Sequence, residues 1–367
     1  MNQAVFDSIG DAGDECRAIV ALLGSLERVA FFVHNSTDGD TLGSALAIAL
    51  AVSGAGKQAC VVIEEAIPDY LKMLPGQGLL KDLGELEEGE PARWDAIFVV
   101  DTGDTKLLGK RRKLLDGAAC VVNIDHHHTN KRFGTINYID TGSASTAEIA
   151  YMIIKAFGTP IDHDIAMCVY TGICTDTGGF SYGNTTSRAH FIAADLLRFG
   201  IDVAHLRYLF FDAITCGKLR CHGYTAQSLR FYYRSRLAVA VLSRDKLDAM
   251  HATDIDCDGL VDIGRNVIGV HVSALAREIR PGEFRINLRS RDGADVSEVA
   301  AQFGGGGHKA AAGCTIKADG SEVAGLLVRA MQRLWPDCDA GDGQECSEWS
   351  CNAPDCALRG AQCDAAC

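Results

Sequence analysis

The stretch Val29-Ala30-Phe31-Phe32-Val33-His34-Asn35-Ser36-Thr37-Asp38-Gly39-Asp40, which runs on into an apolar segment at 42–51, decides the fold. A short β-prone apolar run gives way to polar loop residues and then to a helical pattern. The same strand-loop-helix grammar recurs: 59–63, 96–100 and 120–124 read as buried strands, and 16–26, 145–156 and 165–174 as helices. Continuously apolar strands alternating with helices predict a parallel sheet covered on both faces, an α/β domain. In such sheets ligands bind beyond the carboxyl ends of the strands, so the strand exits are where chemistry is expected.

Those exits are rich in metal ligands. After Val33 come His34, Asp38 and Asp40; after Val100 come Asp101-Thr102-Gly103-Asp104; after Ile124 come Asp125-His126-His127-His128. A further carboxylate, Asp176, closes the helical run Thr171-Gly172-Ile173-Cys174-Thr175-Asp176. A single Asp after a strand is more often a helix cap or a turn residue than a ligand. Capping does not explain carboxylates and imidazoles delivered together by separate strands to one edge. Two divalent cations close together need several carboxylates, one of them usually shared. Mixed Asp and His donors favour manganese, iron or zinc over an all-oxygen magnesium or calcium site. No cysteine lies among these residues, which argues against a structural zinc.

Composition sets the outer limits. The chain has 367 residues, 47% hydrophobic and 23% charged, enough for two buried cores in a globular protein. Its net charge of −13 argues against a protein that wraps long nucleic acid, which needs a basic face. A short phosphorylated ligand remains compatible, given metals and a few local cations. The start lacks a basic, then apolar, leader pattern, and no apolar run reaches the length of a membrane span. A cytoplasmic protein with no membrane association is expected. The chain has 15 cysteines, and most of those before residue 338 sit singly in apolar segments, as buried thiols do in a reducing compartment.

The second half reads differently. A helical run at 202–211 leads to polar residues at 215–225, a linker. Strands are expected at 237–242, 270–277 and 284–289, and helices at 295–303 and 323–334, giving a smaller mixed α/β domain. Gly304-Gly305-Gly306-Gly307-His308-Lys309 presents backbone without side chains, which a phosphate or base can approach closely. An ordered loop is expected there, with Gly306, Gly307 and His308 as contact residues. Arg289 and Arg291 at a strand end share a face by alternation and are candidates to clamp a terminal phosphate; Arg277 is a weaker one. The predicted boundaries are 12–200 for the catalytic domain, 201–230 for a linker helix region, 231–336 for a substrate-binding domain and 337–367 for a tail. That tail holds Cys338, Cys346, Cys351, Cys356, Cys363 and Cys367 without a Cys-x-x-Cys pair or apolar periodicity, and is expected to be disordered.

Together these segments resemble the DHH phosphoesterase family. His34-x-x-x-Asp38-x-Asp40 is similar to its first motif and Val100-Asp101-Thr102 to its second. Asp125-His126-His127 resembles the motif that names the family, and Thr175-Asp176 the fourth. Gly304 to Gly313 resembles the glycine-rich signature of the DHHA1 domain. The likeness runs from about residue 18 to residue 335, and its form is that of the nanoRNase and 3′-phosphoadenosine-5′-phosphate phosphatase subgroup. The resemblance implies a DHH domain followed by a DHHA1 domain, and two Mn2+ per site, with Mg2+, Fe2+ or Co2+ as alternatives. It implies that His34 and Asp38 hold one metal, that Asp40, His126 and Asp176 hold the other, and that Asp101 bridges them. His127 would lie beside the substrate phosphate, with Asp125 orienting its neighbouring imidazole. Asp104 is left open between turn residue and ligand. Relatives often carry a proline where this chain has Asn35-Ser36-Thr37, a difference in loop stiffness. The implied substrates are short oligoribonucleotides or 3′-phosphoadenosine-5′-phosphate. Alternatives are a cyclic dinucleotide or its linear product pApA, and inorganic pyrophosphate. The resemblance leaves room for a homodimer.

Overall fold

The two central strands of the first half, at 29–33 and 96–100, are apolar at every position because each feeds two cores. Val29, Phe31 and Val33 point into one, with Ala96, Phe98 and Val100. Ala30 and Phe32 point into the other, with Ile97 and Val99. The computed structural model describes residues 13–88, 94–291, 293–341 and 344–345. Its chain separates into two units, Met1–Ala213 and Ile214–Cys367.

The first unit is built on six strands: β1 (Arg28–Phe32), β2 (Gln58–Ile63), β3 (Leu80–Asp82), β4 (Ala96–Val100), β5 (Val121–Asp125) and β6 (Ile136–Ile139). Their spatial order is β3-β2-β1-β4-β5-β6 and every pairing is parallel. The chain thus winds outward from β1 in one direction and from β4 in the other. Where that direction reverses, the connections leaving β1 and β4 diverge and open a crevice at the carboxyl edge. The helices are α1 (Asp14–Ser25), α2 (Gly39–Gly54), the short α3 (Leu83–Glu88) and α4 (Arg112–Leu115), α5 (Thr146–Phe157), α6 (His163–Asp176), α7 (Ser187–Leu196) and α8 (Val203–Arg207). Helix α2 is buried almost all round, as its uniformly apolar sequence requires. It lies against α6 with backbones nearly touching: a Cβ on Gly43 would sit 2.5 Å from the Cys168 carbonyl oxygen. This contact fixes the start of α2, and with it Asp38 and Asp40, against the end of α6, which carries Asp176.

The second unit comprises α9 (Cys216–Ser228), β7 (Arg230–Tyr232), β8 (Leu237–Leu242), α10 (Arg244–Ala249), α11 (Val261–Arg265), β9 (Val272–Arg280), β10 (Glu283–Ser290), α12 (Ser297–Ala301), β11 (Gly306–His308), β12 (Ala311–Lys317), α13 (Gly320–Met331) and β13 (Gln344–Glu345). The strands form one sheet in the order β11-β12-β10-β9-β8-β7-β13, antiparallel except between β8 and β9. One face buries Phe284, Ile286, Leu288, Ala312, Cys314 and Ile316 beneath α13. The alternate residues of β10, Arg285, Asn287 and Arg289, therefore stand on the opposite face.

Two segments differ from expectation. The polar stretch around 215–225 is helix α9, capped by Thr215 and carrying buried Cys221 and Thr225. So few buried positions leave no apolar stripe to read. Residues 311–313, just past the expected ordered loop, begin strand β12, whose Ala312, Cys314 and Ile316 alternate inward. Within the Cys-rich tail, Cys338 is half-buried, and Cys346, Cys351, Cys356, Cys363 and Cys367 lie outside the described residues. Among the described residues no helix is long and apolar enough to cross a membrane. Because the α2–α6 contact has no room for a methyl group, Gly43→Ala is expected to cost about 1–3 kcal/mol by overpacking, read as a lower urea midpoint.

Candidate metal centre

The crevice at the β1/β4 reversal is filled by carboxylates and imidazoles, each held by a specific local structure. His34 leaves β1 with its Nδ1 2.6 Å from the Asn35 carbonyl, so its Nε2 faces the site. The loop behind it is fixed by a buried cation. Arg111, 1% exposed, reaches Asn35 Oδ1 at 2.5 Å and donates to the carbonyls of Val62 at 2.8 Å and Leu108 at 3.2 Å. Asp38 caps α2: one carboxylate oxygen accepts from the N–H groups of Asp40 at 3.1 Å and Thr41 at 3.0 Å. Its other oxygen lies 3.6 Å from His34 Nε2. Cap and ligand are thus compatible roles for one residue, an oxygen for each.

Asp40, 1% exposed, is held by the start of a different helix. Its oxygens accept from the N–H groups of Thr146 at 2.7 Å and Ala147 at 2.9 Å in the first turn of α5, a natural anion seat. Asp101 follows β4 with a left-handed φ of 54°, a conformation a non-glycine residue keeps only where its surroundings impose it. Its N–H donates to the Ile124 carbonyl at 2.8 Å. Its Oδ1 accepts from the Thr146 hydroxyl at 2.9 Å. So held, Asp101 turns one oxygen to His34 Nε2 at 3.5 Å and the other to His126 Nε2 at 3.7 Å. Asp125, fully buried, accepts from the N–H groups of His126 and His127 at 2.8 and 3.2 Å and pairs with His127 Nδ1 at 2.7 Å. Asn130 holds its second oxygen at 2.6 Å. His126 Nδ1 approaches the Ser143 carbonyl at 3.3 Å, and its Nε2 stands 3.6 Å from Asp176.

Three groups of potential ligand atoms result, each with all atoms within 4.8 Å: His34, Asp38 and Asp101; Asp40, His126 and Asp176; and Asp101, Asp125, His126 and His127. Two observations show that the donor set fits divalent cations. His126 Nε2 is buried without a hydrogen-bond partner, a costly state for a polar atom unless something else binds it. The carboxylates also outnumber the charges that balance them. Burial, with Asp101, Asp176 and Asp38 nearby, pushes the Asp40 carboxyl well above the usual range. Burial raises Asp176 to about 6, with His126 opposing and Asp101 and Asp38 reinforcing. Burial opposes charge on His34, but Asp101 and Asp38 outweigh it and hold the imidazole up to about 10. Carboxylate oxygens and imidazole nitrogens converging in this way are the donors that first-row divalent ions take.

Residues 28–173 match the model of the "DHH family, N-terminal domain" and residues 237–334 that of the "DHHA1 domain". The chain is 31% identical to the bifunctional oligoribonuclease and PAP phosphatase NrnA of Thermus thermophilus over 83% of its own length and 89% of that protein. The chain belongs to the DHH family. It is a metal-dependent hydrolase of phosphoester bonds. A probable bifunctional oligoribonuclease and PAP phosphatase NrnA of Streptococcus mutans is 27% identical over 81% of this chain and 92% of its own. The crystal structure of an exopolyphosphatase-related protein from Bacteroides fragilis superimposes with a TM-score of 0.76 at 26% identity, covering 88% of this chain and 96% of that one.

In the DHH unit the sequence-predicted residues His34, Asp38, Asp40, Asp101, His126 and Asp176 converge, and Asp125 and His127 adjoin them. Asp104 stands apart: it caps the turn at Thr105–Arg111 and pairs with Lys131 at 2.5 Å. Sequence reading missed the layer behind the ligands. Thr146 touches both Asp40 and Asp101. Ser143, which receives His126, is braced by Arg188 at 2.6 Å, and Arg188 pairs with buried Glu148 at 2.7 Å. The one legible signal was Ser145-Thr146-Ala147-Glu148, which has the spacing of a capping box at a helix start.

In the DHHA1 unit the glycine run passes from a turn at Gly304 into the hairpin strand β11 at Gly306 and Gly307. A groove of about 620 Å3 lies over Arg285, Asn287, Arg289, Phe303 and residues 304–306 and 311–315. A Cβ on Gly305 would strike the Gly313 carbonyl, and one on Gly307 would lie 2.5 Å from the Ala311 carbonyl. These two glycines serve the β11–β12 contact, whereas Gly306 has open space in front of it. Arg289 lines the groove. Arg291 instead reaches Asn266 Oδ1 at 3.1 Å, and His308 is exposed on β11. Arg277 is 8% exposed and pairs with Asp254 at 2.6 Å. Thr146→Val keeps the shape of its side chain and removes the hydroxyl that orients Asp101. It is expected to weaken divalent-metal affinity by about 10- to 100-fold, measured by titration calorimetry with Mn2+.

Proposed function

We propose that this chain is a two-metal phosphoesterase that hydrolyses short oligoribonucleotides and 3′-phosphoadenosine-5′-phosphate, with Mn2+ as its working ion. The observation that carries this reading is Asp101, whose two oxygens address two separate ligand sets. One cation would be held by His34, Asp38 and Asp101, and the other by Asp40, Asp101, His126 and Asp176. The names of the relatives from Thermus thermophilus and Streptococcus mutans support the choice of substrate. The free thiols along the described chain suit a reducing, cytoplasmic setting.

Cations held by these residues would supply an activated water for in-line attack on phosphorus and charge to offset that on the phosphoryl oxygens. The protein's own groups do the rest. Asp125 fixes the His127 ring through Nδ1, leaving Nε2 to meet a phosphate oxygen or a leaving group. The hydrogen bond that His127 donates to Asp125 raises the imidazole to about 9, against the opposing effect of burial. The ring so held is placed to donate a hydrogen bond or a proton to a phosphoryl or leaving oxygen. In the DHHA1 unit, Arg289 supplies a planar donor for a phosphate and Gly306 a backbone that a nucleotide can approach.

The test is turnover with Mn2+ of a 5′-phosphorylated dinucleotide, pApA, 3′-phosphoadenosine-5′-phosphate and inorganic pyrophosphate. Release of mononucleotides or of inorganic phosphate from the nucleotide substrates is expected; turnover of pyrophosphate alone would overturn the proposal. Asp101→Ala removes the shared ligand and is expected to lower kcat by about 10^3-fold or more, since a catalytic metal supplies several kcal/mol of charge stabilisation. Substantial residual turnover would show the bridge to be misassigned. Arg289→Ala is expected to raise KM by about 10- to 150-fold, the loss of a charged hydrogen bond, while leaving kcat less affected; steady-state kinetics separate the two.

A further inference from the structure

Beside the ligand cluster, the catalytic unit carries a group of aromatic rings, of which Phe210 and Phe211 pack half-buried against the core while Tyr70 stands outside it. Tyr70 lies in the 3-10 turn Asp69–Leu71 that follows β2, whose carboxyl end belongs to the same sheet edge as the ligands. Its neighbour Leu71 is fully buried and anchors the turn, while Tyr70 is 41% exposed. Its ring meets Phe210 edge to face, with centroids 5.9 Å apart. Phe210 meets Phe211 in the same manner at 6.4 Å, and Arg207 lies over the Phe211 ring at 5.1 Å.

These phenylalanines sit in the π-helical turn Tyr208–Asp212. Such turns are rare and are frequent at functional sites. The turn is close to the ligands: a Cβ on Gly179, three residues beyond Asp176, would lie 3.6 Å from the Phe211 ring and 3.4 Å from the Arg207 guanidinium. On the opposite side, Tyr70 is near enough to Asp38 that burial and the Asp38 charge together hold its phenol above the usual range. The aromatic cluster therefore spans from the Asp38 side of the site to the Asp176 side. The Tyr70 ring is supported on one side by Phe210 and open to solvent on the other, near where a phosphate is expected.

We propose that Tyr70, backed by Phe210, is a shelf on which a nucleobase stacks while the adjoining phosphate lies at the metal-ligand cluster. The ligand class is a purine or pyrimidine base, read by its π face and so with little base preference. This rests on the reading of the chain as a nucleotide phosphoesterase and adds to it a contact to the base within the catalytic unit. An aromatic shelf also discriminates against substrates without a base, such as pyrophosphate.

The test uses the full chain with Mn2+ and a 5′-phosphorylated diadenylate, alongside analogues in which either adenine is replaced by an abasic ribose. Base–aromatic stacking predicts that Tyr70→Ala and Tyr70→Leu raise KM on the intact substrate by about 5- to 150-fold. The same variants should change KM little on one of the abasic analogues, and Tyr70→Phe should recover most of the loss. An equal effect on intact and both abasic substrates, or no effect at all, overturns the shelf. Phe210→Leu, which keeps the packing but removes the supporting ring, should give a smaller shift of the same kind. Wild-type protein bound to a 2-aminopurine dinucleotide should quench its fluorescence, and unquenched fluorescence on binding would overturn the shelf without any variant. Failure of the wild-type chain to cleave any nucleotide sinks the functional reading itself, whereas a failed shelf leaves wild-type turnover intact.

Discussion

Everything in the catalytic unit is arranged around one carboxylate that must face two ways. Asp101 sits where the strand order reverses, between the exits of β1 and β5. To turn its oxygens toward both His34 and His126 it takes a left-handed backbone conformation, which costs on the order of 1–3 kcal/mol. The hydrogen bonds from its own N–H to Ile124 and from Thr146 to its carboxylate oppose that cost. A residue placed anywhere else along the edge would meet ligands from one side only.

The same economy governs the burial of charge. Carboxylates are taken out of water only where backbone or side-chain donors replace it. Asp40 is compensated by the first turn of α5, Asp38 by the first turn of α2 and Asp125 by the backbone of the very histidines it positions. One buried guanidinium, Arg111, performs the converse task by filling itself with carbonyl acceptors while holding Asn35. The Asn35 side chain is thereby tied through Arg111 to the Val62 carbonyl of strand β2, and the loop that carries His34 is held with it.

How much of this was legible in sequence follows from the range of each interaction. Strands β1, β2, β4 and β5 announce themselves because apolar residues occupy both faces, and their exits carry the ligands in plain view. The metal-ligand set was therefore readable as a set. Thr146, Ser143 and Arg188 were not, since their roles depend on where α5 and α7 begin relative to β4 and β5, and no local pattern encodes that distance. Strand β6 has only half-buried residues and β12 is built largely of alanine and glycine, so neither carries a strong period. The glycine run was read as a ligand surface, yet two of its members are set by contact with the neighbouring strand. Alternation predicted that Arg289 and Arg291 share a face, but the strand ends at Ser290, and past that point alternation says nothing. Tyr70 gave no signal at all, because a lone aromatic in a turn is ordinary until its neighbours are known.

Strand β11 has a further consequence. An edge strand exposes unpaired N–H and C=O groups that can template association with another chain. Here the edge is three residues long and fully exposed, it is preceded by a left-handed Gly304 and followed by the charged Lys309. So short and interrupted a ribbon offers too few consecutive backbone groups to nucleate an intermolecular sheet. The residues that leave the groove open at its rim also protect the protein, at high concentration, from aggregating edge to edge.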